Sequence, residues 1–260
     1  TTFEGAISVT GTVTEDTCWL LDHVFGSAPT DGGESSAPYT YEWDVTTLRA
    51  QSARFYVGLD YLNGFAEREL KGVCFPQIEF DVSRGETITF TATGFFADEE
   101  LGTSATPGSE PSTTSDPFVF HGGNFALDGT DQKKMESATL SIQTGIRPQR
   151  GWERKPSDAV VGAEEHTLSA TKIIDSTDLL TTSYGNSTAP TTSANGVASV
   201  PGTLVAGNGS ETLTFDMPRV KPNSHTWDQI GNAEEDKTES PELFVDTLTA
   251  TLETDTAEAL

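Results

Sequence analysis

Apolar residues alternate with polar ones along most of the chain. In residues 78–82 and 88–92, Ile, Phe, Val or Ala occupies every second position, and Glu, Asp or Thr lies between. Successive side chains of a β-strand point to opposite faces, so a period of two predicts strands with one buried and one solvated face. The segment Ser83-Arg84-Gly85-Glu86 between these runs is typical of a turn and predicts an antiparallel hairpin.

The same alternation predicts further antiparallel strands at 3–13, 55–59, 137–144, 166–172, 211–217 and 242–252. In the last of these, the apolar phase changes from odd positions at Leu243 and Val245 to even positions at Leu248 and Leu252. This change predicts a β-bulge near Asp246-Thr247. The clearest helix signal is Asp175–Gly185, which has a capping candidate, an apolar pair and a glycine stop.

Long polar segments rich in Gly, Ser, Thr and Pro separate these elements, at 27–38, 101–117, 186–209 and 231–241. None resembles a linker between two domains. We therefore expect one domain over 1–260, with an N-terminal strand and long loop in 1–51, an exposed loop in 101–117 and a C-terminal tail in 253–260.

The charge balance restricts the possible partners. The chain has 40 Asp and Glu against 15 Lys and Arg, a formal net charge of −25. Nucleic-acid readers need clustered bases that displace counterions, so this class is excluded. The acids extend from Glu4 to Glu258 instead of forming a tail, which favours a protein adapted to molar salt, where the Debye length is about 3 Å.

One basic run, Arg147 to Lys155, holds four of the 15 bases. It has two interpretations of equal weight: a long loop paired with local acids, or a contact for the acidic surface of another copy of the chain.

The sequence contains no motif that assigns a catalytic, cofactor-binding or metal residue. The sequence has no Gly-Lys pair for a phosphate loop, no G-x-S-x-G and no H-E-x-x-H. The four histidines lack a second ligand at metal spacing, and Asp128–Asp131 is interpreted as a turn. Adjacent acids are interpreted as surface charges. These histidines and acid pairs are His23, His121, His166, His225, Glu99-Glu100, Glu164-Glu165 and Glu234-Glu235.

Cys18 and Cys74 allow one disulfide but are interpreted as buried small hydrophobic residues. Asn186 and Asn208 fit the N-glycosylation pattern, which arises easily by chance in a chain rich in Ser and Thr. No stretch approaches the 18–20 or so apolar residues of a membrane span, and the first residues lack the regions of a signal peptide. We expect neither a membrane segment nor an export signal.

From Phe55 onward, the order of these segments resembles the tail tube, or major tail, protein of long-tailed viruses. The last matching segment ends in Met217-Pro218-Arg219-Val220, like a family strand that ends in a turn. The N-terminal region to Gln51 and the loop 101–117 match less well and are expected to hold insertions or ring-to-ring contacts. The segments that carry the resemblance are 72–82, 85–94, 137–146, 166–173, 175–184 and 211–220.

The resemblance implies a mainly β fold: an antiparallel β-sandwich or half-barrel with one short flanking α-helix and long polar loops. It also implies a structural virion protein without enzyme activity or cofactor, assembled in the host cytoplasm. Six copies would close into a ring, rings would stack head to tail into a tube, and other tail proteins would bind the tube ends. Viral DNA would pass through the lumen without specific binding. Together with the acid excess, this indicates a virus of a halophilic archaeon.

Two other classes stay open at this stage. A secreted or cell-surface β-sandwich adhesin would carry modification at Asn186 or Asn208. A carbohydrate-active enzyme would need two converging carboxylates, which cannot be paired from sequence.

Overall fold

The computed structural model describes residue 3 and residues 5–44, 50–61, 64–102, 115–193, 196–228 and 236–256. This part of the chain is mainly antiparallel β-structure. Its strands are β1 Gly5–Thr12, β2 Thr30–Asp31, β3 Tyr39–Asp44, β4 Ala53–Tyr61, β5 Gly64–Ser83, β6 Thr89–Phe96, β7 Asp98–Leu101, β8 Val119–Leu127, β9 Thr130–Asp131, β10 Met135–Gln143, β11 Arg147–Gln149, β12 Asp158–Val160, β13 Glu165–Ile173, β14 Val200–Gly207, β15 Thr212–Asp228 and β16 Thr238–Thr254.

One large sheet has the strand order β1-β6-β5-β10-β13-β16-β15-β14-β8-β9, with β2, β3, β4 and β7 paired beside this path. Strand β5 changes neighbours along its length: its first half pairs with β4 and β7, and its second half with β6 and β10. The change falls near Pro76, where the register with β6 shifts. A proline cannot donate a ladder hydrogen bond, so the strand can change partners there at little cost.

The sheet curls so that its two halves pack against each other. The rings of Phe80 on β5 and Phe215 on β15 lie 4.9 Å apart at this contact. Leu140 on β10, Leu168 on β13 and Leu252 on β16 are completely buried in the same cluster. The predicted mainly β, sandwich-like fold is therefore confirmed.

The predicted helix is confirmed as α2, Asp178–Tyr184, which ends at Gly185 with a positive φ of 65°. The sequence did not predict a second helix, α1, Leu20–Phe25. Four of its six residues are buried, and Trp43 Nε1 donates a hydrogen bond to Asp22 Oδ1 at 2.7 Å. Six residues are too few to form a stable helix alone, so tertiary packing decides that α1 forms.

The predicted hairpin of 78–92 and the turn at Asp128-Gly129 are both confirmed. Asp128 and Gly129 have φ of 51° and 70°, as a two-residue hairpin turn with two left-handed positions requires. The predicted bulge is also confirmed. The β15–β16 register shifts between Asp216 and Val220, opposite the exposed pair Asp246-Thr247.

Three predicted boundaries are wrong. The strand expected to turn at 217–220 continues to Asp228, because Pro218 lies at the bulge, where no ladder hydrogen bond needs its missing N–H. Strand β14 lies inside the expected loop 186–209, because Leu204 and Ala206 are buried at alternate positions there. Strand β16 begins at Thr238, inside the expected loop 231–241.

The expected loop 27–38 is mostly exposed but contains the two-residue strand β2. Most of the expected loop 101–117 lies outside the described residues, because the structure describes only Leu101–Gly102 and Ser115–Pro117 of it. In the expected C-terminal tail, β16 continues to Thr254, and 257–260 lie outside the described residues.

Replacing Phe80 by Ala removes the ring at the contact between the two halves of the sheet. We expect Phe80→Ala to lower the free energy of unfolding by about 3–5 kcal/mol, because the ring is buried and a cavity remains. Thr91→Ala, on the solvated side of the same hairpin, should change it by at most about 0.5 kcal/mol. Denaturant unfolding of both variants measures the difference, and equal losses would contradict this account of the core.

Candidate functional site

The solvated side of the central sheet is covered by short hydroxyl, amide and carboxylate side chains. We call this surface the hydroxyl face. Its opposite side is the core, so the two-residue period places the polar phase of β1, β6, β5, β10 and β13 on one surface. The hydroxyl face consists of Ser8, Thr10, Thr12, Gln77, Glu79, Asp81, Ser83, Thr89, Thr91, Thr93, Ser137, Thr139, Ser141, Gln143, Glu165, Thr167, Ser169 and Thr171.

Strand register aligns these side chains into rows across five strands. At a strand spacing of about 4.8 Å, each row extends about 19 Å across the sheet. The rows continue onto β16, where Phe244 pairs with Thr167 and Glu242 with Ser169. One row contains Thr10, Thr91, Glu79, Ser141 and Thr167, and a second contains Thr12, Thr89, Asp81, Thr139 and Ser169.

Neutral side chains donate hydrogen bonds to two acidic residues of the hydroxyl face. Thr139 Oγ1 donates to Asp81 Oδ1 at 2.8 Å, and Gln77 Nε2 donates to Glu79 Oε1 at 2.7 Å. None of the residues that define this face is Lys or Arg. The surface is therefore acidic and rich in hydroxyls, without the cations that binding to a phosphate backbone requires.

A concave site lies at the border of this face, beyond β13, with a cavity of about 370 Å³. Arg219 Nη1 and Asp246 Oδ2 form an ion pair across it at 2.8 Å. His166 is buried beside it, burial lowers its pKa, and its Nδ1 accepts a hydrogen bond from the Gln143 N–H at 3.3 Å. We call this the border pocket. It is lined by Glu164, Glu165, His166, Ser199, Arg219, Lys221, Phe244, Val245 and Asp246.

Most of the histidines and acid pairs named in the sequence analysis form ion pairs or pack within the fold. Glu99 and Glu100 pair with Arg68 and Lys71 at 2.6 and 2.5 Å, whereas Glu234-Glu235 lie outside the described residues. His225 Nε2 lies 3.0 Å from Glu239 Oε2. His23 is half-buried, with a pKa lowered by burial, and His121 is exposed beside Phe120. In the described ranges, no three His, Cys, Asp or Glu residues form a group that could hold a metal ion.

Cys18 and Cys74 are both buried and free, which confirms their interpretation as small hydrophobic residues. Burial raises the pKa of both thiols, that of Cys74 to about 11. Both are therefore protonated near neutral pH and unsuited to act as nucleophiles.

The basic run forms part of a hairpin, Arg147–Val160, in which β11 pairs with β12. We call it the basic hairpin. Lys155 Nζ pairs with Asp98 Oδ1 at 2.5 Å, which agrees with the interpretation of local acid pairing. Arg150 instead donates to the backbone carbonyl of Phe3 at 2.9 Å. Trp152 at the tip is fully exposed.

A pair of carboxyl groups, Glu15 and Glu211, joins the N-terminal segment to the sheet. Glu15 is buried in a 3-10 helix, Glu15–Thr17, and accepts a hydrogen bond from Thr254 Oγ1. Burial, together with the hydrogen bond to Glu15, raises the pKa of Glu211 to about 7. The proton of Glu211 therefore lets two carboxyl groups lie side by side.

The two glycosylation candidates have different surroundings. Asn208 Nδ2 donates to Glu211 Oε2 at 2.7 Å and to the Asp116 carbonyl at 2.9 Å, so its amide nitrogen is already engaged. Asn186 is exposed, and its Oδ1 accepts a hydrogen bond from the Thr188 N–H at 3.1 Å. Modification of either residue stays a prediction.

The Glu15–Glu211 pair predicts a pH-dependent stability. Between about pH 4.5 and 7 the folded chain keeps the Glu211 proton that the unfolded chain loses, so the free energy of unfolding falls as pH rises through this window. We expect the loss to be on the order of 1 kcal/mol, because water screens the half-buried Glu211. Denaturant unfolding measures the free energy of unfolding at pH 5 and pH 8. The decrease between these two values should be larger in the wild type than in Glu211→Gln.

The exposed turn residue Glu86 provides a control, and Glu86→Gln should keep the wild-type pH dependence. An unchanged pH dependence in Glu211→Gln would contradict the shared proton.

Sequence reasoning did not identify the hydroxyl face or the border pocket. The polar phase of each strand was readable, but the rows depend on register, which joins residues as distant as Thr10 and Thr167. The adjacent acids Glu164-Glu165 were considered, yet their proximity to Arg219 and Asp246 required the tertiary structure.

Neither described helix, of six and seven residues, is long enough to cross a membrane. A comparison with protein families matches residues 1–254 to the model described as phage tail tube protein. A comparison with curated proteins gives no match.

Proposed function

The chain belongs to the phage tail tube protein family, and we propose that its copies close into hexameric rings that stack into the tube through which viral DNA is ejected. The family match supports a structural component of the virion tail and favours a non-enzymatic role. The observation that carries the proposal is the hydroxyl face, which we assign to the lumen.

Such a lining must let DNA move without holding it. Duplex DNA carries one phosphate charge per about 1.7 Å of its axis, and its affinity for proteins comes mainly from Lys and Arg. The hydroxyl face instead presents hydroxyls together with acids such as Glu79 and Asp81. DNA near this surface gains no counterion release, and the acids repel close approach of its phosphates.

The open edge of β1 supports lateral assembly. In the described part of the chain, β1 ends the strand order of the large sheet and pairs with β6 alone. Its other edge has unpaired backbone groups, which are prone to unwanted pairing with other chains. A ring that covers this edge with a neighbouring copy would satisfy these groups and prevent such pairing.

The acid excess supports a virus of a halophilic archaeon. Six copies at −25 each give a ring a formal charge of −150. Molar salt confines this repulsion to about 3 Å, whereas dilute buffer lets it act over 10 Å or more. Assembly in the host cytoplasm, and other tail proteins at the tube ends, belong to the same proposal.

Electron microscopy of the purified protein tests the assembly. We expect hexameric rings or tubes in about 2–3 M salt, because the charges are screened, and dissociation in millimolar salt without divalent cations. Uniform monomers in high salt would contradict the ring. Tubes that persist in millimolar salt would contradict the halophilic origin while leaving the ring intact.

A gold label tests which surface lines the lumen. Thr91→Cys places a reactive thiol on the hydroxyl face, while the native Cys18 and Cys74 are buried and protonated. After reaction with a maleimide gold cluster, assembled tubes should show added density on the channel wall. Ser187→Cys, an exposed position outside this face, should place the label elsewhere. Gold on the outer wall for Thr91→Cys would overturn the lumen assignment.

A further inference from the structure

Trp152 is the most exposed large hydrophobic residue of the described chain, although burial of an indole is strongly favourable. It lies at the tip of the basic hairpin, between Arg150 and Arg154. Exposed Trp and Arg residues held in one place are enriched where proteins bind each other most strongly. The described contacts of this chain do not account for the position of Trp152.

The loop around Trp152 is firmly held. Phe3 N–H donates to the Arg154 carbonyl at 2.9 Å, and Ser157 N–H donates to the Gln149 carbonyl at 3.0 Å. Arg150 Nη1 donates to the carbonyls of Phe3 and Arg154, at 2.9 and 3.3 Å. The tip is therefore pre-organised, so a partner that buries the indole has little ordering entropy to offset.

The border pocket and the tip of the basic hairpin lie at the same end of the hydroxyl face but beside its opposite borders. The row that contains Ser8, near the start of β1, reaches Glu165 at the start of β13. The hairpin is bonded to Phe3, just before β1, and the pocket lies between β13, β16 and β15. Four strands separate β1 from β16, which is about 24 Å along the curved sheet at the usual spacing.

The pocket suits an indole flanked by bases. Phe244 is 40% exposed and offers an apolar contact in a cavity of about 370 Å³, which is larger than an indole. Asp246 already pairs with Arg219, and Glu164 Oε2 lies 3.7 Å from Nε2 of His166, whose pKa is lowered by burial. Lys221 is the remaining base of the lining. Glu164 and Glu165 complement the charge of Arg150 and Arg154 beside the indole.

We propose that Trp152 of one copy inserts into the border pocket of the next copy, with the bases of the basic hairpin facing Glu164 and Glu165. Two complementary features at opposite borders form a head-to-tail contact, which closes into a ring when the rotation permits. The inference rests on the proposed ring and names the residues that close it.

Truncation of Trp152 tests the anchor. We expect Trp152→Ala to raise the protein concentration needed for ring assembly by about 30-fold or more, as loss of a central interface aromatic does. Trp152→Phe should raise this concentration much less, since it keeps an aromatic ring. Tyr56→Ala, a matched exposed aromatic outside both features, should assemble like the wild type. Sedimentation in high salt measures assembly, and thermal unfolding checks that each variant is folded.

Cross-linking tests the occupant. The double variant Glu153→Cys, Ser199→Cys keeps Trp152 and places one thiol beside it on the hairpin tip and one in the pocket. Mild oxidation of assembled rings should give a ladder of covalent oligomers up to six copies, and neither single variant should extend beyond a dimer.

Rings of the double variant that give no ladder, together with normal assembly of Trp152→Ala, would overturn this contact and leave the proposed function standing. Absence of rings from the wild-type protein would overturn both.

Discussion

The fold depends on the burial of alternate side chains where the sheet closes on itself. Phe80 and Phe215 meet at this contact, and the surrounding positions of β5, β10, β13 and β16 are almost completely buried. A one-residue shift in any of these strands would move its apolar side chains into water and its polar ones into the core. Burial therefore determines the register, and register determines everything on the opposite surface.

The hydroxyl face follows directly from that constraint. Once Ile78, Leu140 and Leu168 lie inward, their neighbours Glu79, Ser141 and Thr167 must lie outward in one row. Short β-branched and hydroxyl side chains suit a solvated sheet. The Thr139 hydroxyl and the Gln77 amide donate hydrogen bonds to Asp81 and Glu79. The same packing that stabilises the domain thus makes a broad acidic surface whose defining residues include no Lys or Arg, and this is the surface that we propose lines the tube.

Two groups of bases lie beside the hydroxyl face. The basic hairpin lies beside the start of β1, and Arg219 and Lys221 lie beyond β13 in the border pocket. In the proposed assembly, the hydroxyl face avoids phosphates and these bases bind acidic neighbours. A chain with 40 acids and 15 bases needs such local complementarity to associate with copies of itself.

The sequence by itself determined the β class, the hairpin of 78–92, the helix at 178–184, the bulge at Asp246-Thr247 and the exclusion of a nucleic-acid reader. Each depends on local periodicity, turn residues or net charge, which need no knowledge of distant contacts. Only the tertiary structure decided that Leu20–Phe25 is helical, that Pro218 lies within a strand and that residues far apart form the hydroxyl face and border pocket. The reason is physical: short elements are stabilised by what they pack against, and register is determined by burial across strands far apart in the chain. Thr10 and Thr167, which lie in one row, are 157 residues apart.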